Sequence, residues 1–320
     1  MDSVQWRPDS KDAGSRCGDL KDGEAKGGNW DEKGGCVVIE LGFHTDNWRP
    51  LSKSFEFAVE RGAALGLKHV EFAVINGQDF IQEMGYDPAI SLQSNPRALR
   101  RYLESKGLSV SQIDGSYPLM GPKGSAFGIH YVQQTIRFAA ELDCPIVDTT
   151  DGAVEIPGLS REEVFRITCD NYRQCLSWAE DYNVILAVEP HGPYTNDPEF
   201  LHRLFDYFQS EYLRFNLDTG NTFIAGHDPL EFCKEFRTYL VHCHIKDVSE
   251  SLAAAARGHD TGIGTSFVPV GGGVNAENIK RVIQYLKETN WSGVMSIECY
   301  GTDEFMQASV DFLRPLVADS

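Results

Sequence analysis

The sequence predicts a single (β/α)8 TIM barrel, and three observations lead there. Eight short apolar runs are each followed by a stretch of helical periodicity, the alternation that builds a parallel sheet covered by helices. These units fill roughly 280 residues, close to the ~250 usual for such a barrel. The first run leads into "HTDNWRP", which has no glycine, whereas a doubly wound open sheet would carry a Gly-rich turn there.

The strands are read in order as CVVIELGF (36–43), HVEFAV (69–74), LSVSQID (108–114), PIVDT (145–149), VILAVE (184–189), LRFNLD (213–218), LVHCHIK (240–246) and GVMSIE (293–298). Each is a short run rich in β-branched and aromatic residues. Between them, Asn95 caps a helix with Pro96 in its first turn and Gly107 at its stop. Ser160 opens a capping box with Glu163. Asp228-Pro229 and Asn275 start two later helices in the same way. No tandem repeat or interdomain linker breaks the pattern, so residues 36–320 form one catalytic domain. Residues 1–35 hold eight acids, six bases and seven glycines with almost no apolar periodicity. They are expected to be a disordered tail or a misassigned start, without the apolar core of a signal peptide.

With 320 residues, 42% of them hydrophobic, the chain can bury a large core. Its 29 Lys and Arg stand against 47 Asp and Glu, a formal charge of −18, which opposes binding to nucleic acid or anionic lipid. No apolar run approaches the ~20 residues that span a bilayer. Eight scattered cysteines, without a CxxC pair, read as free thiols of a cytoplasmic protein.

In a barrel, chemistry sits where strands end and βα loops begin. Strand five closes on Glu189, strand six on Asp218, strand seven on His244 and strand eight on Glu298. One carboxylate at a strand end is usually a loop cap or an ion-pair partner. Four ligand-type residues on four consecutive strands face one rim, and three carboxylates with one imidazole suit a divalent ion: Mn²⁺ first, with Mg²⁺ or Co²⁺ as alternatives. Strand alternation turns the neighbouring Cys243 and Cys299 to the opposite face. His242 competes with His244, which lies closer to the strand end. Lys246-Asp247 reads either as a solvated turn or, for Lys246, as a substrate contact.

The segments VEPHG, LDTGN, HCHIKD and SIECYG, with PVGGGVN before a late helix, resemble the xylose-isomerase-like sugar isomerase/epimerase superfamily over roughly residues 37–317. The resemblance implies Glu189, Asp218, His244 and Glu298 as metal ligands. In its ketose 3-epimerase branch the two glutamates are also the acid/base pair. That branch has a histidine where this chain has Asn221 and a glutamate where it has Thr195. LGFHTD, VDTTDG, LDTGNTFIAGHDP, HIKDVS, RGHDTGIG and GVNAENI resemble more closely the α subunit of bacterial C-glycoside deglycosidases. That resemblance implies cleavage of the sugar-to-aglycone carbon bond of 3-oxo-C-glycosides, with a small β subunit as partner; a homo-oligomer is the alternative.

The chemistry is consistent with either branch. A ketone at sugar C3 acidifies the C2 hydrogen, and a divalent ion stabilises the enolate. Loss of the C1 substituent then gives elimination, with the phenolic aglycone leaving as its keto tautomer, whereas reprotonation on the other face gives epimerisation. Glu189, Glu298 and His191 are the candidate bases, and His191 is preferred because ligated carboxylates are weakened bases; its alternative is a turn histidine. His44, Asn221, Lys246 and Arg257 are candidate substrate contacts. Asp148 and Asp151 either orient substrate or cap the fourth loop. Gly271, Gly272 and Gly273 are read as a close turn over the site. A zinc nuclease would need more strand-end histidines and a basic groove. A non-catalytic sugar-binding barrel would be favoured by loss of a ligand.

Deleting residues 1–34 is expected to leave the melting temperature and turnover nearly unchanged, because the segment has so little apolar area to bury. Thermal unfolding and turnover of the truncated chain check this; a drop of several degrees would show that the segment packs on the barrel.

Overall fold

The computed structural model describes residues 38–318 apart from 77–88, 116–118, 153 and 259–265. The expected tail of residues 1–35 therefore lies outside the described residues, as does most of RGHDTGIG.

The eight strands are β1 (Ile39–His44), β2 (His69–Ile75), β3 (Ser109–Asp114), β4 (Ile146–Thr149), β5 (Ile185–Val188), β6 (Leu213–Asp218), β7 (Leu240–Ile245) and β8 (Gly293–Ile297). All pair in parallel with their sequence neighbours, and β1 pairs with both β2 and β8, which closes the (β/α)8 TIM barrel. A two-residue strand, Ile90–Ser91, adds to the end of β2. The helices around it are α1 (Phe55–Ala64), α2 (Pro96–Ser105), α3 (Ile129–Leu142), α4 (Arg161–Tyr182), α5 (Pro198–Phe208), α6 (Thr219–Ile224), α7 (Pro229–Glu235), α8 (Glu250–Ala256), α9 (Ala276–Glu288) and α10 (Asp303–Val317). No described helix is long and apolar enough to cross a membrane.

Local punctuation largely follows the sequence. Asn95 Oδ1 accepts from Ala98 N, Ser160 and Glu163 complete the capping box, and Asp228 accepts from Leu230 N. Asn275 departs from expectation. It precedes α9 but its side chain makes no cap; its amide donates to the carbonyls of Thr219 at 2.9 Å and Lys246 at 3.3 Å. Those acceptors are exposed by the strand ends of β6 and β7, and they outcompete a local cap. The segment after β1 forms a 3-10 turn, Thr45–Leu51.

Strand alternation divides the core in two. Outward residues pack under the helices: Phe72 meets Phe55 edge-on, Phe215 meets Phe232 and Phe236, and Cys243 is buried in the same apolar layer. The six described cysteines are free and buried. Inward residues are unusually polar for a barrel interior, where branched apolar side chains dominate. Glu71, Gln112, Asp148, Asn216, His242 and Ser296 are all fully or almost fully buried. Such a layer persists only if its members satisfy one another.

Helix α1 seats so closely on β1 that a Cβ at Gly62 would lie 2.1 Å from ring carbons of Phe43. Gly62→Ala is therefore expected to lower stability by about 1–3 kcal/mol through overpacking, read as a reduced denaturation midpoint at unchanged slope.

Candidate metal centre

Four parallel strands deliver the candidate ligands to the C-terminal rim. Asp218 ends β6, His244 is the penultimate residue of β7, and the two are paired in register. Glu189 and Glu298 fall one residue beyond β5 and β8, where their backbone amides still bond to Thr149 and Ile245 carbonyls of the neighbouring strands. One ligand atom from each of Glu189, Asp218, His244 and Glu298 lies within 4.8 Å of the others.

His244 stands at the centre. Its Nδ1 is 3.2 Å from Glu189 Oε1 and 3.4 Å from Glu298 Oε2, and its Nε2 is 2.8 Å from Glu71 Oε1. Lys246 is buried rather than part of a solvated turn. Its Nζ lies 3.0 Å from Asp218 Oδ2, 2.9 Å from Glu298 Oε1 and 3.4 Å from Asn221 Oδ1. Asp218 Oδ2 and Glu298 Oε2 are buried, and their partners are the ion-pair contacts with Lys246 at 3.0 Å and His244 at 3.4 Å. Three carboxylates and an imidazole that converge on a shared volume fit a hard or borderline divalent cation.

The electrostatics express the crowding. Burial, reinforced by Glu298 and Glu189 and only partly offset by Lys246, pushes Asp218 up to about 7. Burial and then the Glu189 charge hold Asp148 well above the carboxylate range. Burial opposes the charged forms of His244 and Lys246, but their carboxylate neighbours prevail and raise both well above their ordinary values. The same contacts overcome burial to hold Glu71, Glu189 and Glu298 low. His242 is pulled down to about 3 by burial and stays neutral.

Two further carboxylates shape the loops around this cluster. Asp151 accepts from the backbone amides of Gly192, Tyr194 at 2.8 Å and Thr195 at 3.2 Å, and from Thr195 Oγ1 at 2.7 Å. Thr195 Oγ1 accepts in turn from His191 N at 2.8 Å. His191 Nδ1 lies 3.0 Å from the Asp151 carbonyl, an acceptor, so the ring proton sits on Nδ1 and Nε2 keeps its lone pair. Only glycine fits at 192, where a Cβ would meet the Gly152 carbonyl oxygen at 1.8 Å. Asp247 does the same for the three-glycine turn, accepting from Gly271, Gly273 and Asn275, each at 2.9 Å, and from Val248 at 2.8 Å. Gly271 takes a φ of +92°, in the region that favours glycine.

The remaining expected residues divide. His44 faces His244 with ring centroids 6.2 Å apart. Its Nδ1 accepts from Asp46 N at 3.0 Å, which puts the proton on Nε2, 3.7 Å from Asp114 Oδ2. Asn221 donates to Glu189 Oε1 at 3.0 Å. Arg257 is engaged elsewhere: its guanidinium lies 3.8 Å from the centroid of the Phe223 ring and donates to the carbonyls of Phe223, Gly226 and His227. It braces the end of α6. Glu71 and Gln112 were not singled out from the sequence. The signal was a lone carboxylate inside the apolar run HVEFAV, on the inward parity.

The family described as Xylose isomerase-like TIM barrel matches residues 59–316. Among solved structures, the chain is similar to a D-tagatose 3-epimerase-like protein with a TM-score of 0.68 and 18% identity, covering 87% of this chain and 97% of that one. It is similar to 3-keto-D-glucoside 4-epimerase, YcjR, from E. coli with a TM-score of 0.62 and 15% identity, over 88% and 99%. It is also similar to the IOLI protein with a bound zinc atom, with a TM-score of 0.65 and 17% identity, over 87% and 98%. At these identities the likeness is one of fold. No curated protein matches the chain in sequence.

Asp218→Ala is expected to abolish divalent-ion binding, because no nearby side chain can replace its oxygens in the ligand set. Elemental analysis of protein purified with added Mn²⁺ checks this against the wild type.

Proposed function

The chain belongs to the xylose isomerase-like TIM-barrel family, and from that premise we propose that it is a divalent-metal-dependent enzyme that removes a proton next to a sugar carbonyl. The observation that supports this reading is the convergence of Glu189, Asp218, His244 and Glu298 at the C-terminal rim. These four residues would hold the ion, with Mn²⁺ preferred, and a bound ion supplies Lewis-acid stabilisation of the charge that develops on the carbonyl oxygen.

The chain's own groups carry the other parts. His191 presents an Nε2 lone pair on a loop held rigid by Asp151, and it is the base that takes the C2 proton of a 3-oxo sugar. His44, with its proton on Nε2, donates to a sugar oxygen. Lys246 lends positive charge at the cluster and bridges Asp218 and Glu298. We assign the outcome to cleavage of the C–C glycosidic bond of 3-oxo-C-glycosides. The C2 proton goes to His191 and the C2–H pair becomes the enolate. The phenol moves its own proton to the ring carbon that bears the sugar, the enolate pair forms the C1–C2 double bond, and the C1–aglycone pair leaves with the aglycone as phenolate. The proton held by His191 returns to that oxygen.

A second reading is ketose epimerisation or isomerisation by the Glu189 and Glu298 pair. The epimerase-like neighbours favour it. Two side chains weigh against it: Thr195 is taken up in the Asp151 loop, and Asn221 is bonded to Glu189 and faces Lys246. Neither position offers the carboxylate or imidazole of the epimerase branch.

Incubation with a 3-oxo-C-glycoside, with any required β subunit present, is expected to release aglycone, while the 3-hydroxy parent releases none. His191→Ala is expected to keep its metal and lose activity by about 10²–10⁴-fold. Epimerised ketose from simple ketohexoses, with no aglycone released, would select the second reading.

A further inference from the structure

Below the rim, two members of the polar layer of the barrel interior, Glu71 and Gln112, meet at the Nε2 of His244. Glu71 is fully buried in β2, between the outward-facing Val70 and Phe72. Its Oε1 receives two hydrogen bonds, one from Gln112 Nε2 at 2.8 Å and one from His244 Nε2 at 2.8 Å. Glu71 and Gln112 are paired in register on β2 and β3, so the glutamine fixes the carboxylate that meets the imidazole. On the far side of the ring, His244 Nδ1 faces Glu189 Oε1 and Glu298 Oε2.

We propose that Glu71 is a positioning residue for the metal centre: by accepting the Nε2 proton of His244, it fixes the tautomer that leaves the Nδ1 lone pair for the ion. The inference rests on the reading that Glu189, Asp218, His244 and Glu298 hold that ion. A carboxylate behind a ligating imidazole orients the ring and raises its basicity, and losing such a partner typically costs 10–100-fold in metal affinity.

Glu71, His242 and His244 could instead be ligands of an ion themselves, since their ligand atoms also lie within 4.8 Å of one another. The hydrogen bonds favour the positioning role. His242 Nδ1 is 3.1 Å from Asn216 Oδ1, which only accepts, and its Nε2 is 3.2 Å from the Ser296 hydroxyl. Both nitrogens of His242 thus have partners within the protein, and a hydroxyl occupies the side an ion would need.

The test uses the full chain stripped of metal and titrated with Mn²⁺ or Zn²⁺ by calorimetry, for the wild type, Glu71→Gln, Glu71→Leu and Asp218→Ala. Nitrogen-15 spectra of histidine-labelled, Zn²⁺-loaded wild type are recorded alongside. The expected result is one ion per wild-type chain, an Nε2-protonated His244, and affinity lowered about 10–100-fold in Glu71→Leu, with a smaller loss in Glu71→Gln, whose amide oxygen still accepts. Melting of the metal-free variants separates this from unfolding; if Glu71→Leu does not fold, Glu71→Gln and the wild-type spectrum decide. Undiminished affinity in both Glu71 variants overturns the proposal, as does a His244 protonated on Nδ1. Two ions per wild-type chain, falling to one in Glu71→Leu, overturns it in favour of a second metal site. Tight binding by Asp218→Ala overturns the ligand reading beneath it, a failure distinct from the others.

Discussion

The interaction on which the site depends is the contact of His244 with carboxylates on both sides of its ring. Buried ionised groups are tolerated only when paired, and removing one partner of a buried pair typically costs several kcal/mol. Here Glu71, Glu189 and Glu298 are held in their charged forms by His244, and Lys246 adds a second cation between Asp218 and Glu298. These two cations offset part of the charge of an acidic box at the barrel mouth. A divalent ion would enter the same balance, because coordinated imidazole gives up its Nδ1 proton and metal affinity is linked to proton release.

Around that box, backbone amides gather on two more buried carboxylates. Asp151 gathers the loop after β5 and Asp247 the loop before α9, each using several N–H groups that would otherwise be unsatisfied below the surface. The glycines beside them are consequences of this packing. Gly192 and Gly273 bring their Cα atoms so close to a carbonyl or carboxylate that any Cβ would collide. The loops are thereby fixed by hydrogen bonds as well as by the burial of Tyr194 and Val270, and His191 Nε2 has no hydrogen-bond partner among the described residues. A base with a locked tautomer on a pre-organised loop is what proton removal from carbon requires.

On the proposed reading the first step takes a proton from the carbon next to a carbonyl, and the groups that meet the resulting enolate decide between elimination and reprotonation. In this chain Thr195 and Asn221 are bound into the loop and the ligand set, and that observation supports a one-base reading with His191 over a pair of opposed glutamates. Arg257, a candidate substrate contact, donates to the carbonyls of Phe223, Gly226 and His227 at the end of α6.

The eight strands, the barrel closure and the rim positions of Glu189, Asp218, His244 and Glu298 were all legible in the sequence. Local periodicity sets which residues lie in strands, and strand parity sets which face inward. Lone polar residues inside apolar strands carried a weaker signal. Glu71 and Gln112 lie 132 or more residues from His244, and nothing local says that they will meet its Nε2. The sequence left Lys246 between a solvated turn and a substrate contact, and read Asn275 as a cap. Closure of the barrel decided otherwise, because it brought Asp218, Glu298 and the strand-end carbonyls within reach. Hydrogen-bond partners separated by hundreds of residues are chosen by the register and curvature of the closed sheet, whereas the local pattern determines only which groups are available to be chosen.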